Sequence, residues 1–282
     1  MNILITGANG GYGTYVLYFL RQNTKNNKII CLVRSEEKGK KIKKQGFEIR
    51  IGDYSNIDSM KQALKGIDRV LLISTHVQGV HKNVIDAAKE NGVKYIVYTS
   101  LYGLDYPKFG LEKNHKETEE YIKQSGIPHT ILRNNWYLEL IFPLLETAKK
   151  QKKLLYYSGD KKISWILKKD LAEAGAKIIL DKCDKEILDF ANKPCSLKEL
   201  GNYLIEATNE KIDIKEVTKE EFENWINSTG ISQMGRFLSI SYQDYILKGN
   251  NGEENGTPED LEKILNHSVT SYPDSIKYLL NH

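Results

Sequence analysis

The chain has 282 residues, 40% hydrophobic and 28% charged, a balance that excludes wholesale disorder and supplies a core without disulfide or metal staples. Its 41 basic residues barely exceed its 37 acidic ones, and a net charge of +4 is too weak to argue for a polyanionic partner, so nucleic-acid binding is not indicated. No apolar run approaches the roughly 20 residues of a membrane span, and Cys31, Cys183 and Cys195 stand at unrelated spacings, so neither a disulfide framework nor a zinc site is expected and a reducing cytoplasm fits.

The N-terminus opens on an apolar strand and not on a basic leader: Met1-Asn2-Ile3-Leu4-Ile5-Thr6 runs directly into a glycine turn. Short runs rich in Ile, Val, Leu and Tyr predict strands over 2–6, 28–33, 47–51, 69–74, 94–99 and 129–132. Between them, amphipathic stretches predict helices over 12–22, 36–45, 56–65, 80–91 and 111–125, several ending at a glycine: Gly46, Gly66, Gly92 and Gly126. Strand and helix in strict alternation predict an α/β fold, a doubly wound parallel sheet of the Rossmann kind with right-handed crossovers.

After about residue 134 the rhythm changes. A long helix interrupted by Pro143 is expected over 135–150, another helix from near Asp170 and one more strand over 186–190. Helices follow over 197–208, 219–227 and 231–247, then a polar surface loop over 248–256. Thr257-Pro258-Glu259-Asp260 supplies the start of a last helix. The expected organisation is a cofactor-binding domain over 1–155 and a smaller, mostly helical substrate-cleft domain over 156–282, with some later segments returning to the sheet.

The turn after the first strand reads Gly7-Ala8-Asn9-Gly10-Gly11-Tyr12-Gly13 and leads into a helix. Glycines at this spacing let the backbone approach a pyrophosphate, which the amides of the helix N-terminus receive, so Gly7, Asn9, Gly10, Gly11, Tyr12 and Gly13 are candidate dinucleotide contacts. NAD enzymes place an acid at the end of the second strand, about 20 residues on. Here the strand ends Leu32-Val33-Arg34, followed by Lys38, Lys40 and Lys41. A guanidinium there pairs with a 2′-phosphate, which points to NADPH; the lysines read as solvated helix charges. Asp53 is either an adenine contact or a turn cap. Ser74, Thr75 and His76 lie at the C-terminal sheet edge where ligands of such folds sit. Ser100 lies at the same edge, as a ligand contact or a strand cap.

Short-chain dehydrogenases carry Tyr-x-x-x-Lys beyond that serine, the lysine lowering the tyrosine pKa for proton transfer. No such pair stands between Ser100 and Ser125, and Tyr157…Lys161 falls after the sixth strand, in the wrong place. His115 is the nearest titratable side chain, a proton donor or an ordinary helix histidine.

Gly7–Gly13, Val33-Arg34, Gly52-Asp53-Tyr54, Leu71-Leu72-Ile73-Ser74, the run from His81 to Ala88, Tyr98-Thr99-Ser100, His115…Thr118-Glu119 and Leu132-Arg133-Asn134-Asn135-Trp136-Tyr137 stand in one order and register. Together they resemble the NmrA-like atypical short-chain dehydrogenases, most closely their quinone-reductase branch, over essentially the whole chain. The resemblance implies NADPH as cofactor, with Gly7–Gly13, Arg34 and Ser74–His76 touching it and Asn135, Trp136 and Tyr137 beside the nicotinamide. It departs in a shorter loop between Ser74 and Asn83, and in having His115 where the isoflavone-reductase branch has a lysine.

Reducing a ketone makes a strongly basic alkoxide that needs a good proton donor, whereas a quinone gives a far less basic oxyanion and a cationic dye needs no proton. A chain without the usual acid therefore fits a small conjugated acceptor, with Tyr137 and His115 as the candidate donors. The alternative is a redox-sensing regulator that binds NADP(H) without chemistry; a sugar-nucleotide epimerase ranks third because it needs the missing pair. Trp136 and Tyr137 favour an acceptor pocket unless they are core packing. A homodimer is left open.

Overall fold

A computed structural model describes residues 1–23 and 26–282. In chain order the first part alternates β1 (Asn2–Ile5), α1 (Gly11–Gln22), β2 (Lys28–Val33), α2 (Glu36–Lys44), β3 (Glu48–Ile51), α3 (Ile57–Ala63), β4 (Arg69–Leu72), α4 (His81–Glu90), β5 (Tyr95–Leu101), α5 (Leu111–Ser125) and β6 (His129–Asn134). There follow β7 (Trp136–Tyr137), α6 (Phe142–Gln151), β8 (Lys153–Tyr156), β9 (Trp165–Ile166), α7 (Lys168–Asp181) and β10 (Ile187–Phe190). The chain ends with α8 (Leu197–Thr208), β11 (Asp213–Glu216), α9 (Lys219–Ser228), α10 (Gln233–Lys248), α11 (Glu259–Leu265) and α12 (Tyr272–Leu280).

Seven strands form one parallel sheet in the order β10-β6-β5-β4-β1-β2-β3. Helices cover both faces of such a sheet, so its strands carry continuous apolar runs: β5 is buried along its whole length. Leu4, Ile30, Val70, Leu72, Ile96 and Ile131 meet Met60, Val84, Ile85 and Ile122 of α3, α4 and α5 in a dry core. Strand order reverses between β1 and β4, so the loops that leave these two strands part and open a crevice at their C-terminal ends.

Two compact units make up the chain. The first comprises Met1–Asn134, Lys168–Phe190 and Asp260–His267 and holds the sheet. The break after the first stretch thus falls at Asn134, against the expected 155, and α7, β10 and most of α11 are the segments that return. β10 extends the sheet beside β6, with Ile187 opposite Ile131. α7 lies on α1: the Tyr12 hydroxyl donates to the Leu171 carbonyl at 2.9 Å, and a Cβ on Gly175 would stand 2.4 Å from that hydroxyl. Only glycine admits the tyrosine there.

The second unit comprises Asn135–Leu167, Ala191–Glu259 and Ser268–His282. It contains the parallel pair β8–β11 and the two-residue pair β7–β9. Three expectations are corrected here. Residues 135–150 are not one interrupted helix: Pro143 stands in the first turn of α6, where its missing N–H costs nothing. The stretch 248–256 is not simply a surface loop, because Asn251 and Glu253 are buried within it. The last helix is two, and α12 has its own start, with the Ser271 side chain accepting from the Asp274 N–H and Pro273 in the first turn. No helix among the described residues is long and apolar enough to cross a membrane.

Candidate cofactor site

The glycine turn joins β1 to α1. Gly7 adopts φ 56°, the left-handed region that favours glycine, and its carbonyl accepts from the Gly10 N–H at 2.9 Å. A Cβ on Gly13 would lie 2.3 Å from the Gly7 oxygen, so glycine alone lets α1 start this close to β1. A Cβ on Gly10 would lie 3.3 Å from the same oxygen. Gly10 is the N-cap without a side-chain cap, and the first turn of α1 has no acidic residue, so its amides carry an unneutralised positive end. Asn9, Gly10 and Gly11 are exposed on this turn, whereas Tyr12 is buried with its hydroxyl on Leu171 and offers the site only main chain. Such a cradle, open at the backbone and lacking any acid, fits a diphosphate.

Arg34 emerges from β2 exposed, and makes no hydrogen bond or ion pair with another described residue. Its neighbours differ: Lys40 pairs with Glu37 and Lys43 with Glu36 along α2. Asp53 is exposed after β3, and its Oδ1 accepts from the N–H and hydroxyl of Ser55 at 2.9 and 2.7 Å. Those two bonds, and then the charge of Arg34, hold its carboxyl below the usual range. Asp53 therefore closes a turn, and its carboxylate faces the same sheet end as Arg34.

After β4, the Ser74 N–H donates to Thr99 Oγ1 at 2.9 Å and the Thr75 N–H to His81 Nε2 at 3.0 Å, while His76 is exposed. Ser100, buried in β5, donates to Glu119 Oε1 at 2.6 Å. Glu119 also takes both Nε and Nη2 of Arg133, at 3.0 and 2.7 Å. His115 is buried on α5, shares a 2.9 Å hydrogen bond with the Tyr98 hydroxyl, and burial pushes its pKa down to about 4. The imidazole is neutral at pH 7.

These groups belong to the C-terminal edge of the sheet in the first unit. Asn135, Trp136 and Tyr137 belong to the second. Asn135 Oδ1 accepts from the Trp136 N–H at 2.7 Å. Trp136 is buried edge-on to Tyr242 and Tyr245, and its Nε1 donates to Glu253 at 2.9 Å. Its packing role is thus realised, and Tyr137 is half-buried next to it. Tyr157, set aside in the sequence, bonds Asp244 at 3.0 Å. The sequence assigns no bonding role to His81, Glu119 or Glu253, because the partners of each stand on other elements and follow no local motif. A cavity of about 510 Å³ bordered by Arg21, Lys28, Phe47 and Glu48 lies at the opposite end of the sheet, where β2 and β3 begin.

A parallel sheet with a strand-order reversal, a glycine turn at that reversal and an acid-free helix start together define a dinucleotide-binding Rossmann domain. A family profile described as NAD(P)H-binding matches residues 7–182. Quinone oxidoreductase 2 of Escherichia coli (strain K12) is 30% identical over 99% of both chains. A solved structure of the E. coli NADPH-dependent quinone oxidoreductase complexed with NADPH has a TM-score of 0.84 and covers 99% of this chain and 100% of that one. Citrobacter sp. triphenylmethane reductase, complexed with NADP(H), is 28% identical with a TM-score of 0.86 over 99% of each chain. An NmrA-like family domain-containing oxidoreductase of Aspergillus flavus is 28% identical over 79% of this chain and 76% of its own. The chain belongs to the NAD(P)H-binding NmrA-like reductase family.

Proposed function

We propose that the chain is an NADPH-dependent oxidoreductase that passes hydride to a quinone or a similar conjugated small molecule. The observation that carries this reading is that Ser100 in β5 and His115 on α5, the polar side chains nearest to where the missing tyrosine–lysine pair would stand, are both buried and bonded within the first unit. A site without a strong acid suits an acceptor whose reduced form is a weak base.

In this reading the amides of Gly10 to Gly13 hold the diphosphate and Arg34 pairs with the 2′-phosphate. Asp53 accepts from the adenine amino group. Ser74, Thr75 and His76, the edge residue Ser100, and Asn135, Tyr137 and the main chain of Trp136 directly after β6 are assigned to the nicotinamide end. The bound nicotinamide supplies the hydride. Tyr137 is the proton donor; His115, buried and bonded to the Tyr98 hydroxyl, holds that hydroxyl in place and does not take the donor role considered for it. The reaction runs in a reducing cytoplasm, which suits three free cysteines, two of them buried.

NADPH oxidation is followed across quinones, triphenylmethane dyes and simple ketones, with NADH in parallel and Gly10→Val as control. Turnover on conjugated acceptors and not on ketones is expected; turnover on ketones would overturn the acceptor class. One observation favours the second reading, a non-catalytic NADP(H)-sensing regulator. Trp136 is committed to core packing by its bond to Glu253 and is not spare for a pocket. NADPH binding with no turnover on any acceptor would select it.

A further inference from the structure

We propose that Lys168 is the cation that meets the diphosphate of the dinucleotide, a charge the glycine motif does not itself contain. This rests on the dinucleotide reading of the glycine turn. Gly11 is the first residue of α1 and Lys168 the first residue of α7. The Lys168 ammonium lies 3.2 Å from the position a Cβ would occupy on Gly11, and its Cδ and Cε lie 3.4 and 3.8 Å from that position. A flexible, half-buried lysine stem thus crosses the opening turn of α1 where a side chain at position 11 would otherwise be.

The two helices are held in this relation by groups already described. Tyr12 reaches Leu171 one turn along α7, and Gly175 clears a place for the tyrosine ring one turn further. Successive residues of α1 therefore meet successive turns of α7, and both helices start at the same end of the sheet. The packing of the two helices therefore brings residue 168 to the opening turn of α1, from where its side chain reaches Gly11.

Its charge has the same sign as the helix end it crosses. A helix N-terminus favours anions, and a cation in the first turn is unfavourable. α7 carries an acid, Asp170, in its own first turn, but α1 carries none. The first turn of α1 offers no carboxylate, and a doubly ionised diphosphate at that turn would bring its negative oxygens to both the amides and the Lys168 ammonium. Charge-assisted hydrogen bonds to phosphate are the strong ones, and lysine serves there as a point charge. Arg34 and Lys168 then divide the cofactor between them. Arg34 reads the 2′-phosphate, which only NADP(H) has, and Lys168 reads the diphosphate, which NADPH and NADH share.

The division is tested with four ligands on the full chain: NADPH and NADH by nicotinamide fluorescence, ADP and 2′-AMP by calorimetry. Lys168→Met keeps the aliphatic stem and Lys168→Ala removes it; both are checked for unchanged thermal unfolding without ligand. The expected result is that NADPH, NADH and ADP weaken by one common factor of about tenfold. Binding of 2′-AMP, which has no diphosphate, stays unchanged, and Lys168→Arg restores most of the loss. Unchanged affinity for ADP and NADH would overturn the proposal, as would a loss that includes 2′-AMP. If the wild-type chain bound none of the four, the dinucleotide reading itself would fall, which is a different result from a wild type that binds and variants that bind equally well.

Discussion

Thr75 donates its main-chain N–H to Nε2 of His81 across 3.0 Å, and that one bond fixes the state of a buried ring. Nε2 must accept, so the ring proton is on Nδ1, which faces Thr118 Oγ1 at 3.0 Å. The Thr118 hydroxyl donates its own hydrogen bond to the Asn114 carbonyl at 2.8 Å. The loop after β4 is therefore tied to α5 through an imidazole that works only while neutral.

That arrangement sets a pH dependence. Burial, and then the proximity of His115, pushes the His81 pKa down to about 4, and burial pushes His115 down to about 4 as well. In the unfolded chain both titrate near 6.5. Between about pH 6.5 and 4 the unfolded state binds more protons, so stability is full above that window and falls through it as pH falls. The loss is of order 3 kcal/mol for each ring. Urea midpoints measured from pH 7 to 4 are expected to drop, and His81→Gln is expected to flatten the drop even though it lowers stability at pH 7. A variant with the wild-type slope would mean that His81 is not the group responsible.

Cofactor preference turns on Arg34. Its guanidinium is exposed and forms no ion pair with another described residue, so removing it frees no buried partner and leaves the fold as it is. Arg34→Ala is expected to weaken NADPH binding by about ten- to hundredfold, the worth of a charge-assisted phosphate contact, with NADH nearly unaffected. Dissociation constants for the two cofactors, measured side by side, decide it. An equal loss for both would remove the 2′-phosphate assignment.

The glycine turn tolerates change unevenly. A Cβ on Gly13 meets the backbone oxygen of Gly7 at 2.3 Å and the Ala8 Cα at 2.7 Å, atoms that cannot swing aside. Gly13→Ala is expected to cost roughly 1–3 kcal/mol and to abolish cofactor binding, because α1 must back away from β1. Gly11→Ala meets the flexible side chain of Lys168 and is expected to fold normally. Thermal unfolding of the two variants gives the contrast; equal stability would mean that the turn yields.

How far the sequence carried this picture depends on where each signal lay. The six strands of the first half were legible because parallel strands buried on both faces have nowhere to put polar residues, and β2 has the bounds its apolar run predicts. Gly126, expected to stop α5, does so at φ 74°. The β8–β11 pair was not legible. Asp213-Ile214-Lys215-Glu216 is polar and largely exposed, and its pairing with 153–156 joins segments far apart in the chain. Pro143 misled because a proline inside an apolar helical pattern reads as a break until the helix start is seen to be its own position. At the cofactor site the glycines and Arg34 announced themselves by spacing. The partners that commit Ser100 and His115 did not, since both bonds join β5 to α5 at separations of 19 and 17 residues that no local pattern marks.

Glu253 presents the sharpest case of a hidden role. It sits in the polar run Lys248-Gly249-Asn250-Asn251-Gly252-Glu253, yet it is fully buried. Its Oε1 accepts from Trp136 Nε1 at 2.9 Å and from the Tyr245 hydroxyl at 2.7 Å. Burial, and then the carboxylate itself, pushes the Tyr245 pKa up, which keeps that hydroxyl protonated as a donor. Glu253→Ala would strand two buried donors, each costing about 1–3 kcal/mol, so a loss of roughly 2–6 kcal/mol is expected. Glu253→Gln keeps an oxygen for both donors and should lose much less. Denaturant unfolding followed by tryptophan fluorescence measures both. If the two variants lost the same stability, the negative charge and not the accepting oxygen would be what holds Trp136 and Tyr245 together.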